Sequence, residues 1–159
     1  MGTKILCLLF LAALGLNADE KYDGPVPPKP DLPYLLHAKT LLETEAAPAR
    51  EERRKNETAY IVAGESSPAR TPMAEPIFII NVSRIEPEHM ELYRLEVKNG
   101  NREVSLSTKS QKGSSPPLHL RVTRLAEHLY RVEASESLEN GEYALTPSGE
   151  NRVFCFEVY

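Results

Sequence analysis

From residue 77 onward, short segments rich in branched and aromatic side chains recur with turn signals between them, and this pattern is hard to fold as anything but antiparallel strands. The segments are 77–82, 92–97, 103–106, 118–125, 129–134, 142–146 and 152–158. Several short strands at such spacing indicate a sandwich or barrel. No amphipathic helical stretch of core size competes with them; only 86–90, after Ile85, reads as a single turn.

Turn chemistry and burial fix the register of three hairpins. Asn99-Gly100 suits a two-residue type I′ turn, in which both central residues need positive φ. That turn pairs Lys98 with Asn101, and so sets Leu95 opposite Val104 and Tyr93 opposite Leu106. A slip of one residue would put Leu95 against Ser105, on the wrong face. Glu96 and Glu103 then face each other on the side expected to be solvated. In the second hairpin, Leu118, Leu120 and Val122 match Tyr130, Val132 and Ala134 across an odd-length loop, 126–128. This register also sets Arg121 against Glu133 rather than Arg131. In the third, Tyr143 and Leu145 meet Phe156 and Phe154, with Cys155 beside Ala144 on the opposite face.

Hairpins with one apolar face each need a second layer about 10 Å away to cover them. The expectation is a mainly β, antiparallel two-layer β-sandwich over 34–159. The stretches Gly141-Glu142-Tyr143-Ala144-Leu145 and Val153-Phe154-Cys155-Phe156 resemble the closing strands of small immunoglobulin-like sandwich domains of exported bacterial proteins. That resemblance implies an immunoglobulin-like fold and no activity.

The N-terminal region has a different character. Lys4, an uncharged run from Ile5 to Leu16, and then Asn17 and Ala18 ahead of Asp19 and Glu20 have the layout of a cleavable secretory signal over 1–18. The run is shorter than the roughly 20 apolar residues a membrane span requires, so no stable transmembrane span is expected after processing near Ala18. Five prolines over 19–33 predict an extended leader. The polar stretch 43–57 contains Glu51 and Lys55 four apart, in the order that supports a helix, and reads as a short solvated helix or loop inserted into the domain. Residues 64–76, with three prolines, read as an ordered crossover between strands.

Cleavage at Ala18 leaves 141 of the 159 residues, enough for one domain with a real core. Only Lys4 of the 19 basic residues is lost, so 18 basic residues stand against 23 acidic ones, a net charge of −5. A chain of this balance has no basic stripe for phosphates, and no nucleic-acid partner is expected. Cys155 would be the one cysteine left, so no intrachain disulfide can form although an exported setting permits one. The poverty of cysteine favours a bacterial periplasmic or secreted setting. Sequons at Asn56 and Asn81 keep a eukaryotic source open.

Motifs for chemistry are sparse. His37, His89, His119 and His128 have no pair within five positions, so no metal site is expected. His37, in an apolar stretch, reads as a hydrogen-bonded, partly buried side chain. Phosphate loops and dinucleotide fingerprints are absent, and no cofactor is expected. There is no Gly-x-Ser-x-Gly elbow, and Arg70 stands where a Ser-x-x-Lys hydrolase starting at Ser67 would have its base. Cys155 reads as a packed thiol. No catalytic residue is assigned. The stiff, polar loop 64–76 supplies the binding candidates Ser66, Ser67, Arg70 and Thr71.

Taken together, these features point to an exported, non-catalytic binding or structural module whose partner is an unidentified protein or glycan of the cell envelope. The alternative is a hydrolase whose site is assembled from residues distant in sequence, with His37, Ser66 and Arg70 as first candidates.

Overall fold

The computed structural model describes residues 21–107 and 115–159, so the export signal expected over 1–18 lies outside the described residues. The first half contributes β1 (Tyr34–His37), β2 (Thr40–Glu43), β3 (Glu45–Pro48), β4 (Arg50–Arg54), β5 (Glu57–Ala63), β6 (Arg70–Thr71) and β7 (Ile77–Asn81). After a 3-10 turn, Pro87–His89, come β8 (Met90–Lys98), β9 (Asn101–Ser107), β10 (Leu120–Ala126), β11 (Leu129–Ala134), β12 (Gly141–Pro147) and β13 (Arg152–Val158). The single turn expected near 86–90 is this 3-10 turn.

The strands form two layers, a mainly β, antiparallel sandwich. One layer is a five-stranded sheet in the order β10-β11-β7-β1-β2. The other runs β3-β13-β12-β8-β9-β5-β4, with β6 lying parallel beside β13. Its two ends, β3 and β4, are joined through Ala49 alone, so the second layer closes on itself. Residues 45–54 act as one bent strand that pairs with β13 before the bend and with β5 after it. β8 turns a matching corner: Met90 to Leu95 pair with β12, and Glu96 to Lys98 with β9. The second layer is therefore a six-stranded barrel, and the five-stranded sheet packs on its wall.

This corrects the reading of 43–57 as a solvated helix or loop. Its side chains alternate between the two faces of a strand: Glu45, Ala47, Ala49 and Glu51 point into the barrel while Arg50, Glu52 and Arg54 point out. Backbone pairing on both flanks outweighs an i,i+4 ion pair of about 0.2–0.5 kcal/mol. Arg54 reaches from this strand to both carboxylate oxygens of Glu103, at 3.3 and 3.2 Å, and Lys98 Nζ lies 3.3 Å from the same group. Glu103, expected on a solvated face, is buried beneath these cations.

The hairpins follow turn chemistry. Asn99 and Gly100 have φ of 51° and 76°, and Lys98 pairs with Asn101. The ladder ends at Glu96 and Glu103, beyond which Leu95 pairs with Glu142 instead of Val104. In the second hairpin Arg121 faces Glu133 as expected, but the connection is shorter: Ala126 pairs with Leu129, and a bulge between Arg124 and Ala126 keeps the apolar faces in phase. In the third, Tyr143 faces Phe156, Leu145 faces Phe154 and Ala144 faces Cys155.

β12 and β13 are apolar on both faces and form the shared wall. Between the layers, Tyr143 stacks on Phe156 with ring centroids 5.5 Å apart, and Phe78 meets the same ring edge-on at 4.9 Å. On the other face, Ala144, Val153 and Cys155 join Val62, Leu95 and Val104 inside the barrel.

Residues 21–33 contain no helix or strand, yet Pro27 and Leu32 are buried. Asp31 pins this leader. It has a φ of 56°, and its Oδ1 accepts hydrogen bonds from the backbone N–H groups of Ser83, Arg84 and Ile85 at 2.9, 2.9 and 3.0 Å. Burial pushes this carboxyl up, but the three amides and Arg84 outweigh it and hold it below the usual aspartate value. A carboxylate depressed in the folded state stabilises above its unfolded pKa and loses that contribution as pH falls through the folded one. Asp31→Ala should therefore cost about 1–3 kcal/mol at pH 7, from one buried and two part-buried amides left without their acceptor. In urea denaturation the gap from the parent should narrow below about pH 4; a gap independent of pH would contradict this role.

Candidate functional site at the barrel mouth

Alternation along the strands sends one set of side chains inward, and their polarity changes from end to end of the barrel. One end is sealed by Arg102, which is completely buried. Its guanidinium forks onto Glu45, with Nη1 and Nη2 at 2.7 and 2.9 Å, while Nε donates to Gly64 O at 2.9 Å and Nη2 to Ala63 O at 2.8 Å. Gly64, with φ of 87°, supplies the turn that brings both carbonyls round. Glu142 lies 3.6 Å from Nη1 and accepts the backbone N–H of Ser67 at 3.1 Å. Burial raises the Glu142 carboxyl, opposed by the Ser67 amide and by Arg102. The bond to Glu45 raises the Arg102 guanidinium against its own burial, so it stays charged.

The other end is open. A cavity of about 300 Å³ enters the barrel there, its depth lined by Val62, Leu95, Val104, Ala144 and Val153. Tyr60 and Tyr93 form its walls, and Glu51, Glu91 and Glu150 stand around it. Tyr93 Oη donates to Glu91 Oε2 at 3.0 Å. Burial first, and then this carboxylate, hold the Tyr93 phenol well above the usual tyrosine range, so it remains a donor. The turn 147–151 makes the lip. Ser148 N–H bonds His89 O at 3.0 Å, Asn151 O accepts Ala49 N–H at 2.7 Å, and the Thr146 hydroxyl donates to Arg152 O at 3.1 Å.

Among the described residues the cavity lining includes no histidine, cysteine, lysine or serine. Its carboxylates and phenols can accept, donate and attract, but none is paired as a nucleophile with a base. Cys155 lies fully buried below the cavity floor, its thiol pushed up to about 12 by burial, which keeps it protonated. Among the described residues no group of three His, Cys, Asp or Glu is placed to hold a metal ion.

The four binding candidates from the loop 64–76 lie away from the mouth. Ser66 is exposed. Ser67 is buried, donates to Cys155 O at 3.1 Å and accepts the N–H of Ala69. Arg70 forks onto Glu157 at 2.7 and 3.0 Å and lies 4.4 Å from the Tyr159 ring centroid. Thr71 is fully buried, with Oγ1 3.0 Å from His37 Nε2. His37 is thus hydrogen-bonded and partly buried, and it meets Thr71 rather than Ser66. The residues sequence reasoning did not single out are Tyr60, Glu91, Tyr93 and Arg102. The available signal was parity, since Arg102 shares its face with Val104 and Leu106.

In comparison with known proteins, no family model, no curated protein and no solved structure matches the chain.

Removing one partner of a buried ion group leaves the others uncompensated, at a cost of about 3–5 kcal/mol. Arg102→Met should lose stability on that scale in urea denaturation at pH 8. Without the cation, Glu142 loses one of the two groups that oppose its burial and rises further, so the folded state takes up a proton and the loss should shrink towards pH 5. A loss that stays the same or grows at pH 5 would contradict the sealed-end arrangement.

Proposed function

We propose that this chain is an exported, non-catalytic binding module of a bacterial envelope or of the surrounding medium, and that the open mouth of the barrel is its ligand site. The observation that carries this reading is the cavity itself, which is apolar in its depth and polar around its edge. Its volume of about 300 Å³ falls at the small end of the range for ligand pockets, about 300–1,000 Å³. Two features support recognition over reaction. The lip is tied to the 3-10 turn and to Ala49 by backbone hydrogen bonds, so the opening is formed before any ligand arrives. The groups at the edge are carboxylates and phenols in ordinary hydrogen bonds.

Export rests on the pattern of Lys4, the uncharged run and Ala18. The ligand of such a module is a small molecule or a protruding group of an envelope protein or glycan, since the cavity admits little more.

Chain recovered from its own cells tests both parts. Intact-mass measurement of the exported fraction should find a first residue of Asp19. A ligand-observed NMR screen of that chain should give hits that displace one another and move the amides of Tyr60, Tyr93, Ala144 and Val153. A chain retaining Met1, or hits confined to other surfaces, would contradict the corresponding part.

A further inference from the structure

We infer that the mouth selects a small organic cation, a molecule with an apolar body and an ammonium group; this rests on the proposed reading of the mouth as a ligand site. The apolar depth and the two tyrosines make the cavity a place for an organic group, and the charge around it decides which kind. Among the described residues the lining contains three carboxylates and no lysine, arginine or histidine.

The three carboxylates are not equivalent. Glu51 is paired with Arg53 at 3.2 Å, and Glu150 lies 3.7 Å from Arg152. Glu91 has no cation among the described residues. Its Oε2 takes the Tyr93 hydroxyl, and its Oε1 receives no hydrogen bond from them. It sits on β8 at the inward parity of Tyr93 and Leu95, beside the cavity. A carboxylate at the edge of an apolar space, without a counter-ion, attracts a cation more strongly than one in open water. Aromatic rings nearby favour the same sign. Among the described lining residues an anion would meet three negative charges and no positive one.

The volume sets the size. At the roughly 30 Å³ share of a water molecule, the cavity holds on the order of ten non-hydrogen atoms. A phenyl or short alkyl group with a two-carbon link to an ammonium fits that space, with the ammonium at Glu91 and the apolar group toward Val104 and Ala144.

Titration of the ¹⁵N-labelled chain, residues 19–159, with 2-phenylethylamine, 2-phenylethanol and 3-phenylpropionate at pH 7 tests this. The amine should move the amides of Glu91, Tyr93 and Ala144 saturably, with an affinity about tenfold or more above that of either other probe. Glu91→Gln should lower the amine's affinity about tenfold, the scale of one charge-assisted hydrogen bond. Glu127→Gln, on the β10–β11 turn of the other layer, removes the same charge and should leave it unchanged. Should the alcohol or the acid bind the mouth as tightly as the amine, or Glu127→Gln weaken the amine as much as Glu91→Gln, the cation preference is overturned while the mouth stands as a site. If no probe moves the mouth amides of the folded chain, the reading of the mouth as a ligand site fails with it.

Discussion

A strand pair that is apolar on both faces has to be covered twice, and β12 with β13 is such a pair. Tyr143, Leu145, Phe154 and Phe156 face one way; Ala144, Val153 and Cys155 face the other. The first set is covered by the five-stranded sheet through Phe78 and its neighbours. The second can be covered only if the rest of its own sheet rolls over it. That roll is made by two bends, at Ala49 and after Leu95, and it turns a plain sandwich layer into a barrel. Small side chains help at the bend and on the shared wall, because Ala49 and Ala144 let the far strands approach.

The ends of the barrel are treated differently, and the difference produces the site. At one end a fully buried arginine donates four short hydrogen bonds, two to a carboxylate and two to backbone carbonyls. A well-packed apolar group could serve stability there equally well. What the ion group adds is a fixed register between β9, the bent strand and the loop after β5. At the other end, Tyr60 and Tyr93 leave a gap that their own rings do not close, and the tethered turn 147–151 holds the gap open.

Much of the fold was legible because its determinants are local. Asn99-Gly100 dictates its turn, and the parity of Tyr143, Leu145, Phe154 and Phe156 dictates the pairing of the last two strands. The stretch 43–57 reads poorly from sequence because charge stands on both faces of the strand, Arg50, Glu52 and Arg54 outward and Glu45 and Glu51 inward, and the inward residues Glu45, Ala47, Ala49 and Glu51 include no large apolar side chain. Period-2 alternation is present there, but it is not hydrophobic alternation, and only pairing with β13 and β5 makes it a strand. The site was illegible for a related reason. Tyr60, Glu91, Tyr93 and Arg102 come from three strands that meet only when the barrel closes, and in the sequence Arg102 stands between charged and polar neighbours like any surface arginine. The loop 64–76 drew attention instead, because prolines and hydroxyls signal order; that order serves Ser67 against Glu142 and Thr71 against His37.

Closure of the barrel through Ala49 is the claim on which the sealed end, the mouth and the shared wall all depend. It is tested most directly by cross-strand nuclear Overhauser contacts in the ¹³C,¹⁵N-labelled chain. The account predicts contacts between Ala47 and Val153 and, in the same molecule, between Glu52 and Ala59, one pair on each side of the bend. Finding one pair without the other, or helical contacts across 50–55, would show that the sheet does not close and would contradict the account.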